Sequence, residues 1–215
     1  MNPFPVVLSS PSGGGKTTIA RQLLRRRDDV EYSVSCTTRS PRAGEVNGVD
    51  YHFLSEAEFV ERRDGGEFAE WAVVHGRHYG TLKSAVQRVL DGGQHVIMDV
   101  DVQGAEQFAK SYPSAVLVFV LPPSVDVLVD RLVSRGSEDR AALLTRLRDA
   151  RAELHAVDHY DYVVVNDELD TAVATVAAIL DAEGVKRQRV RALDEQVAGL
   201  IVRLQEEIRS FSAKA

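Results

Sequence analysis

Apolar residues in this chain fall into short unbroken runs, separated by stretches in which they recur every three or four positions. Pro5-Val6-Val7-Leu8-Ser9, Val96-Ile97-Met98, Val116-Leu117-Val118-Phe119-Val120 and Tyr162-Val163-Val164-Val165 are of strand length and lack polar alternation. That pattern predicts strands of a parallel sheet buried on both faces. Helical spacing is expected over residues 19–27, with Ile19, Leu23 and Leu24 inward, and near 102–112, 125–135, 140–157 and 169–183. Strands alternating with helices imply right-handed βαβ units, and so an α/β fold with a three-layer core.

Two segments interrupt this rhythm. Residues 31–80 read as short strands at 31–36, 51–54, 68–74 and 78–79, with turn signals at Gly44, Asn47-Gly48, Gly65-Gly66 and Gly76. They are expected to form a small, mostly antiparallel inserted lobe. Residues 126–159 read as helical and carry Arg131, Arg135, Arg140, Arg146, Arg148 and Arg151, either a solvated face or a lid that closes over a site. The expected division is a core of residues 1–34, 82–125 and 160–186, a lobe of 35–81, a lid of 126–159 and a tail helix of 187–215. In that tail Leu193, Val197, Leu200, Leu204 and Phe211 form one stripe, with Ile201 and Ile208 beside it. The stripe suits packing on the chain's own core or a seam with a second copy, and the pattern does not choose between them.

Composition narrows the partners. At 215 residues, 44% hydrophobic and 27% charged, the chain has the make-up of one soluble globular unit with lobes. A net charge of -6 argues against a nucleic-acid partner, which calls for a basic face. The sole cysteine, Cys36, allows no intrachain disulfide and suits a reducing compartment. The first residues lack the features of a signal peptide, and the longest apolar run, 115–123, is too short to cross a bilayer. The expectation is a cytoplasmic protein with no membrane partner.

Chemistry enters at residues 10–17, Ser-Pro-Ser-Gly-Gly-Gly-Lys-Thr, which follow the first strand and open the first helix. This is the setting of a phosphate-binding loop, with Ser10 where the strict pattern has glycine. Glycines let backbone N–H groups curl around phosphate oxygens, and a helix N-terminus adds partial positive charge. Lys16 is expected to reach the β and γ phosphates, and Thr17 to ligate Mg²⁺. Asp99 and Asp101 follow a buried strand, where a carboxylate stands at the mouth of the sheet and can hold Mg²⁺ through water.

The phosphate acceptor is signalled elsewhere. Arg39 and Arg42 flank a Ser-Pro turn and could both fork onto one phosphate. Tyr51 and Tyr79 offer phenols, and Ser35, Glu70, Thr81 and Asp101 offer hydroxyls and carboxylates suited to a purine edge. Over residues 5–185 the chain resembles the guanylate kinases. The resemblance rests on residues 12–17, 35–51, 70–72, 78–81, 98–104, 122–124, 131–136 and 165–167, in that order. It implies transfer of a phosphoryl group from ATP, with Mg²⁺, to GMP or dGMP. Ser35, Glu70, Thr81 and Asp101 would then read guanine, while Arg39, Arg42, Tyr51 and Tyr79 hold the GMP phosphate with Glu45 in support. Ser12, Gly13, Gly14, Gly15, Lys16, Thr17 and Thr18 would bind ATP, with Asn166 near the adenine. Arg131, Arg135 and Arg146 would join Lys16 in catalysis, and Thr17 with Asp99 would serve the metal. Two rivals stand beside this reading: a phosphate-loop kinase for another phosphorylated acceptor, and a non-catalytic scaffold module of the same fold.

Overall fold

The computed structural model describes residues 2–74, 76–134 and 140–212. β1 (Pro5–Ser9) runs through the middle of a five-stranded sheet that also contains β2 (Val30–Tyr32), β7 (His95–Asp99), β8 (Val116–Leu121) and β9 (Tyr162–Val165). The strand order is β2-β7-β1-β8-β9 and every pairing is parallel. Val6 lies opposite Ile97 on one side and Val116 on the other. Successive side chains of β1 leave the sheet on opposite faces. Val6 and Leu8 join Ile19 and Leu23 of α1 (Lys16–Arg26) and Val173, Val176 and Leu180 of α7 (Leu169–Gly184). Val7 joins Val86 and Val89 of α3 (Lys83–Asp91) with Ala105 and Phe108 of α4 (Val102–Ser111). The result is the three-layer α/β core that the apolar runs imply.

A second, four-stranded sheet is ordered β4-β3-β6-β5, from β3 (Cys36–Thr37), β4 (His52–Phe53), β5 (Phe68–Val74) and β6 (Arg77–Leu82). β3 and β4 pair parallel, and the remaining pairs are antiparallel. Phe59 of α2 (Glu56–Asp64) stacks on Phe68 beneath it, 4.4 Å between ring centroids. Beyond β8 come α5 (Val125–Val133), α6 (Arg140–Leu154) and a 3-10 turn over His155–His159. Leu128, Leu132 and Ala150 form the small core between α5 and α6. No described helix is long and apolar enough to cross a membrane.

Several expectations change. Residues 30–32 belong to the core sheet, paired with β7, while of the expected 31–36 strand only Cys36 enters the second sheet, where β3 continues to Thr37. Helices α2 and α3 were not read from the pattern. β9 is an edge strand: Val164 is buried, but Val163 and Val165 are 47% and 53% exposed, so the run is not buried on both faces. α8 (Leu193–Ser212) buries none of its residues, which removes the reading that its stripe packs on the chain's own core.

Candidate active site

The phosphate loop takes its shape from backbone that only glycine holds cheaply. Gly13 and Gly15 have φ of 88° and 96°, in the left-handed region. Gly14 has an ordinary φ but no room: a Cβ there would stand 2.6 Å from the Cβ of Ser10. Ser10 thus occupies its pattern position by lying against a residue without a side chain, and its hydroxyl donates to the Pro11 carbonyl at 2.9 Å. Gly14 N–H closes the turn onto the same carbonyl at 2.8 Å. α1 then begins at Lys16 with no side-chain cap and no acid in its first turn, leaving its N–H groups for an anion.

Thr17 donates its hydroxyl to Asp99 Oδ2, and Tyr32 donates to Oδ1 of the same carboxylate. Asp99 ends β7 beside the loop, and β2 brings Tyr32 in from the next strand. Among the described residues no group of three or more His, Cys, Asp or Glu side chains could hold a metal. A Thr hydroxyl and one carboxylate are hard oxygen donors, too few for a protein cage. They fit Mg²⁺, which keeps waters and takes phosphate oxygens as its other ligands.

A cavity of about 310 Å³ opens from Lys16 and Thr17 towards the second sheet. Ser35, Arg42, Tyr51, Glu70, Tyr79 and Asp101 all line it, as does Tyr32. Glu70 reaches this wall because β5 shifts register between Phe68 and Glu70, an irregularity of the kind that re-aims a side chain. The Thr81 hydroxyl donates to Glu70 Oε1 at 2.6 Å, and Ser35 Oγ lies 3.4 Å from that hydroxyl. Glu70 is buried, and desolvation raises its carboxyl from 4.5 to about 7, aided by the charge of Asp101. Asp101 caps α4, accepting the Gly104 N–H at 2.7 Å. A Cβ on Gly104 would stand 2.6 Å from Glu70 Oε2, so the two carboxylates converge only because residue 104 lacks a side chain.

Arg39 is held by Glu45 in two bonds of 2.8 and 2.9 Å, and its guanidinium lies 5.4 Å from the centre of the Tyr51 ring. Glu45 also accepts the Arg42 N–H at 2.7 Å. These bonds, that from Arg39 foremost, hold the Glu45 carboxyl at about 2, and they raise the Arg39 guanidinium further. Glu45 therefore anchors both arginines. Tyr51 and Tyr79 meet edge to face at 5.9 Å, and burial lifts the Tyr51 phenol to about 12. Cys36 is buried with Phe59 and Phe68, its thiol raised to about 11 by desolvation, which suits a packing role.

On the other side of the loop a hollow of about 280 Å³ is lined by Gly13, Gly15, Thr18, Arg131 and Asn166. Asn166 is buried and donates to the Gly14 carbonyl at 2.9 Å, while Arg131 donates to the Asn166 carbonyl at 3.1 Å. A second guanidinium nitrogen of Arg131 is buried with no partner among the described residues. Arg146 approaches the Ser12 hydroxyl at 3.4 Å. Arg135 lies outside the described residues. Tyr32, Gly104 and Glu153, which accepts the Ser12 N–H at 2.9 Å, were not singled out from the sequence. Gly104 lies within residues 98–104, which carry the family resemblance; Tyr32 and Glu153 have no local signal.

The chain is similar to known proteins over most of its length. The family model described as guanylate kinase matches residues 2–183. A guanylate kinase from Clostridium perfringens strain SM101 is 46% identical over 186 residues, covering 86% of each chain. One from Thermotoga maritima is 46% identical over 183 residues, 85% of this chain and 88% of that one. The crystal structure of guanylate kinase from Anaplasma phagocytophilum superposes with a TM-score of 0.74 at 33% identity, over 90% of this chain and 92% of its own. The chain belongs to the guanylate kinase family and is a nucleoside monophosphate kinase.

Proposed function

We propose that the protein works as an ATP:GMP phosphotransferase through the residues just described. The observation that carries the reading is the single cavity that joins Lys16 and Thr17 to Ser35, Glu70 and Asp101, putting a phosphate donor and a purine reader in one space. ATP sits on the loop of residues 12–18, its adenine towards Asn166, with Lys16 on the β and γ phosphates. Thr17 and, through water, Asp99 would hold Mg²⁺, which would supply positive charge to the phosphates. GMP enters the second sheet. Glu70 and Asp101 accept from the guanine N–H groups, and the Ser35 and Thr81 hydroxyls complete the edge. Arg39, Arg42, Tyr51 and Tyr79 fix the GMP phosphate, which is already an anionic nucleophile and needs no side-chain base. Arg146, with Arg131 and Arg135, neutralises the moving phosphoryl group from a lid formed by residues 126–159. Closing the lid and the lobe of residues 35–81 excludes water, which would otherwise compete as acceptor. The setting is the cytoplasm. dGMP is accepted as well, and a second copy docks on the exposed face of α8.

The test is an assay of ADP release with GMP, dGMP, AMP, CMP and UMP. GMP should be preferred by several orders of magnitude, because a site with buried partners rejects an edge that cannot pair with them. Lys16→Ala should lose most turnover while keeping its fold. Comparable rates on AMP and GMP, or a Lys16→Ala protein as active as the unaltered one, would overturn the assignment.

A further inference from the structure

α6 grips the phosphate loop at Ser12 from two positions a pair of turns apart. Glu153 Oε2 accepts the Ser12 backbone N–H at 2.9 Å, and Arg146 Nη2 approaches the Ser12 hydroxyl at 3.4 Å. Residues 146, 150 and 153 share one face of the helix. Ala150, between the two polar residues, is 1% exposed and packs with Leu128 and Leu132 of α5. Those leucines also press on the loop: a Cβ on Gly13 would meet them at 3.1 and 3.3 Å. The loop and the base of both helices thus form one packed unit. Glu153 is half-buried, and desolvation raises its carboxyl while the charge of Lys16 opposes that shift. A desolvated carboxylate is costly to keep without partners, and the loop N–H is one. Glu153 and Ser12 line the same cavity of about 450 Å³ as Lys16 and Asp101, between the loop and the inserted parts.

We infer that Glu153 is a positioning residue for phosphoryl transfer: by holding the Ser12 N–H it pins α6 to the phosphate loop, and so sets where the Arg146 guanidinium stands. The inference rests on the phosphotransferase reading above. Seven residues of helix separate the pin from Arg146, about 10 Å at 1.5 Å per residue. Loss of the pin, allowing a tilt of about 10°, moves residue 146 by about 2 Å, and misplacements of about 1 Å can cost about 100-fold in rate. The pin is a hydrogen bond to an acceptor oxygen, so a neutral side chain carrying that oxygen preserves it. Glu153 itself contributes no proton and no contact to the transferring group.

Steady-state kinetics on the full chain test this. Glu153→Ala should lower kcat about 10- to 100-fold. KM for GMP should stay within about threefold of the unaltered protein, because none of the residues proposed to read guanine belongs to α6. Glu153→Gln should restore kcat to within about threefold, since its amide oxygen accepts the same N–H. Adding Glu153→Ala to Arg146→Ala should cost little more than Arg146→Ala alone, as expected when one residue acts through the other. A merely structural role would leave the losses additive. The inference is overturned if Glu153→Ala keeps its kcat, if Glu153→Gln falls as far as Glu153→Ala, or if the double variant shows additive losses. A wild-type chain without GMP-dependent turnover would overturn it together with the reading beneath it; an active wild type with any of the three former results would overturn it alone.

Discussion

Glu70 changes charge near neutral pH, because burial lifts its carboxyl from 4.5 to about 7. Between those values the folded protein holds a proton that the unfolded chain has released, so stability from this group falls as pH rises across that window. On the proposed reading, Glu70 accepts the GMP N–H groups in its charged form. KM for GMP should therefore fall as pH rises towards 7, by up to about tenfold per unit, and level off above it. The GMP phosphate titrates in any variant alike, so a Glu70→Gln protein measured over the same range isolates the carboxyl: its pH dependence should be the flatter of the two. Gly104 gives a second prediction. Alanine is the better helix former by up to about 1 kcal/mol, which offsets part of the strain of the new contact, so Gly104→Ala should still fold. Its methyl would nonetheless stand 2.6 Å from Glu70 Oε2, and the ratio of kcat/KM for GMP over AMP should drop at least about tenfold. Tyr32 and Thr17 donate to opposite oxygens of Asp99. Tyr32→Phe removes one donor while keeping the ring, and Mg²⁺ binding to the ADP complex, read by calorimetry, should weaken about tenfold.

At the scale of elements, the chain end divides into a pinned part and a free one. Arg189 is bonded to the buried Glu183 at 3.1 Å and to the Ser114 carbonyl at 3.0 Å, and lies 3.8 Å from the centre of the Phe4 ring. α8, which begins four residues further on, leaves Leu200, Leu204, Ile208 and Phe211 61–72% exposed. A chain ending after Val190 should melt within about 2 °C of the full one, since α8 buries none of its own residues. It should also sediment as a single copy if α8 is the docking face. Arg189→Ala should instead cost about 3 kcal/mol, because it leaves the Glu183 charge buried and under-paired. The elements that were legible share a physical cause. β1, β7 and β8 are covered on both faces, so nearly every residue in them is apolar and no partner need be known. α2 buries only Phe59 and α3 only Val86 and Val89, stripes too sparse to stand out. For α2 the capping box of Ser55 and Glu58 was the readable sign. Within the site, the phosphate loop was legible because its chemistry is local. Tyr32 and Glu153 were not, since their partners lie 67 and 141 positions away.

The whole molecule hangs its inserted parts on opposite halves of one sheet. The second sheet leaves between β2 and β7, and the α5–α6 pair between β8 and β9, with β1 and its phosphate loop in the middle. Both insertions therefore face Lys16 without touching the strand order that carries it. Among the described residues β1 pairs only with β7 and β8, which begin at His95 and Val116. Gly14 is propped by Asn166, further still along the chain. During synthesis at about 5–20 residues per second, the nascent loop spends about 5 to 20 s outside any sheet after it leaves the ribosome. A stalled chain ending before β8 should not be retained by immobilised ATP, whereas one extended past Asn166 should be. The nucleotide site is written first and assembled last, so messenger truncations that spare every residue of the loop still yield a chain blind to ATP.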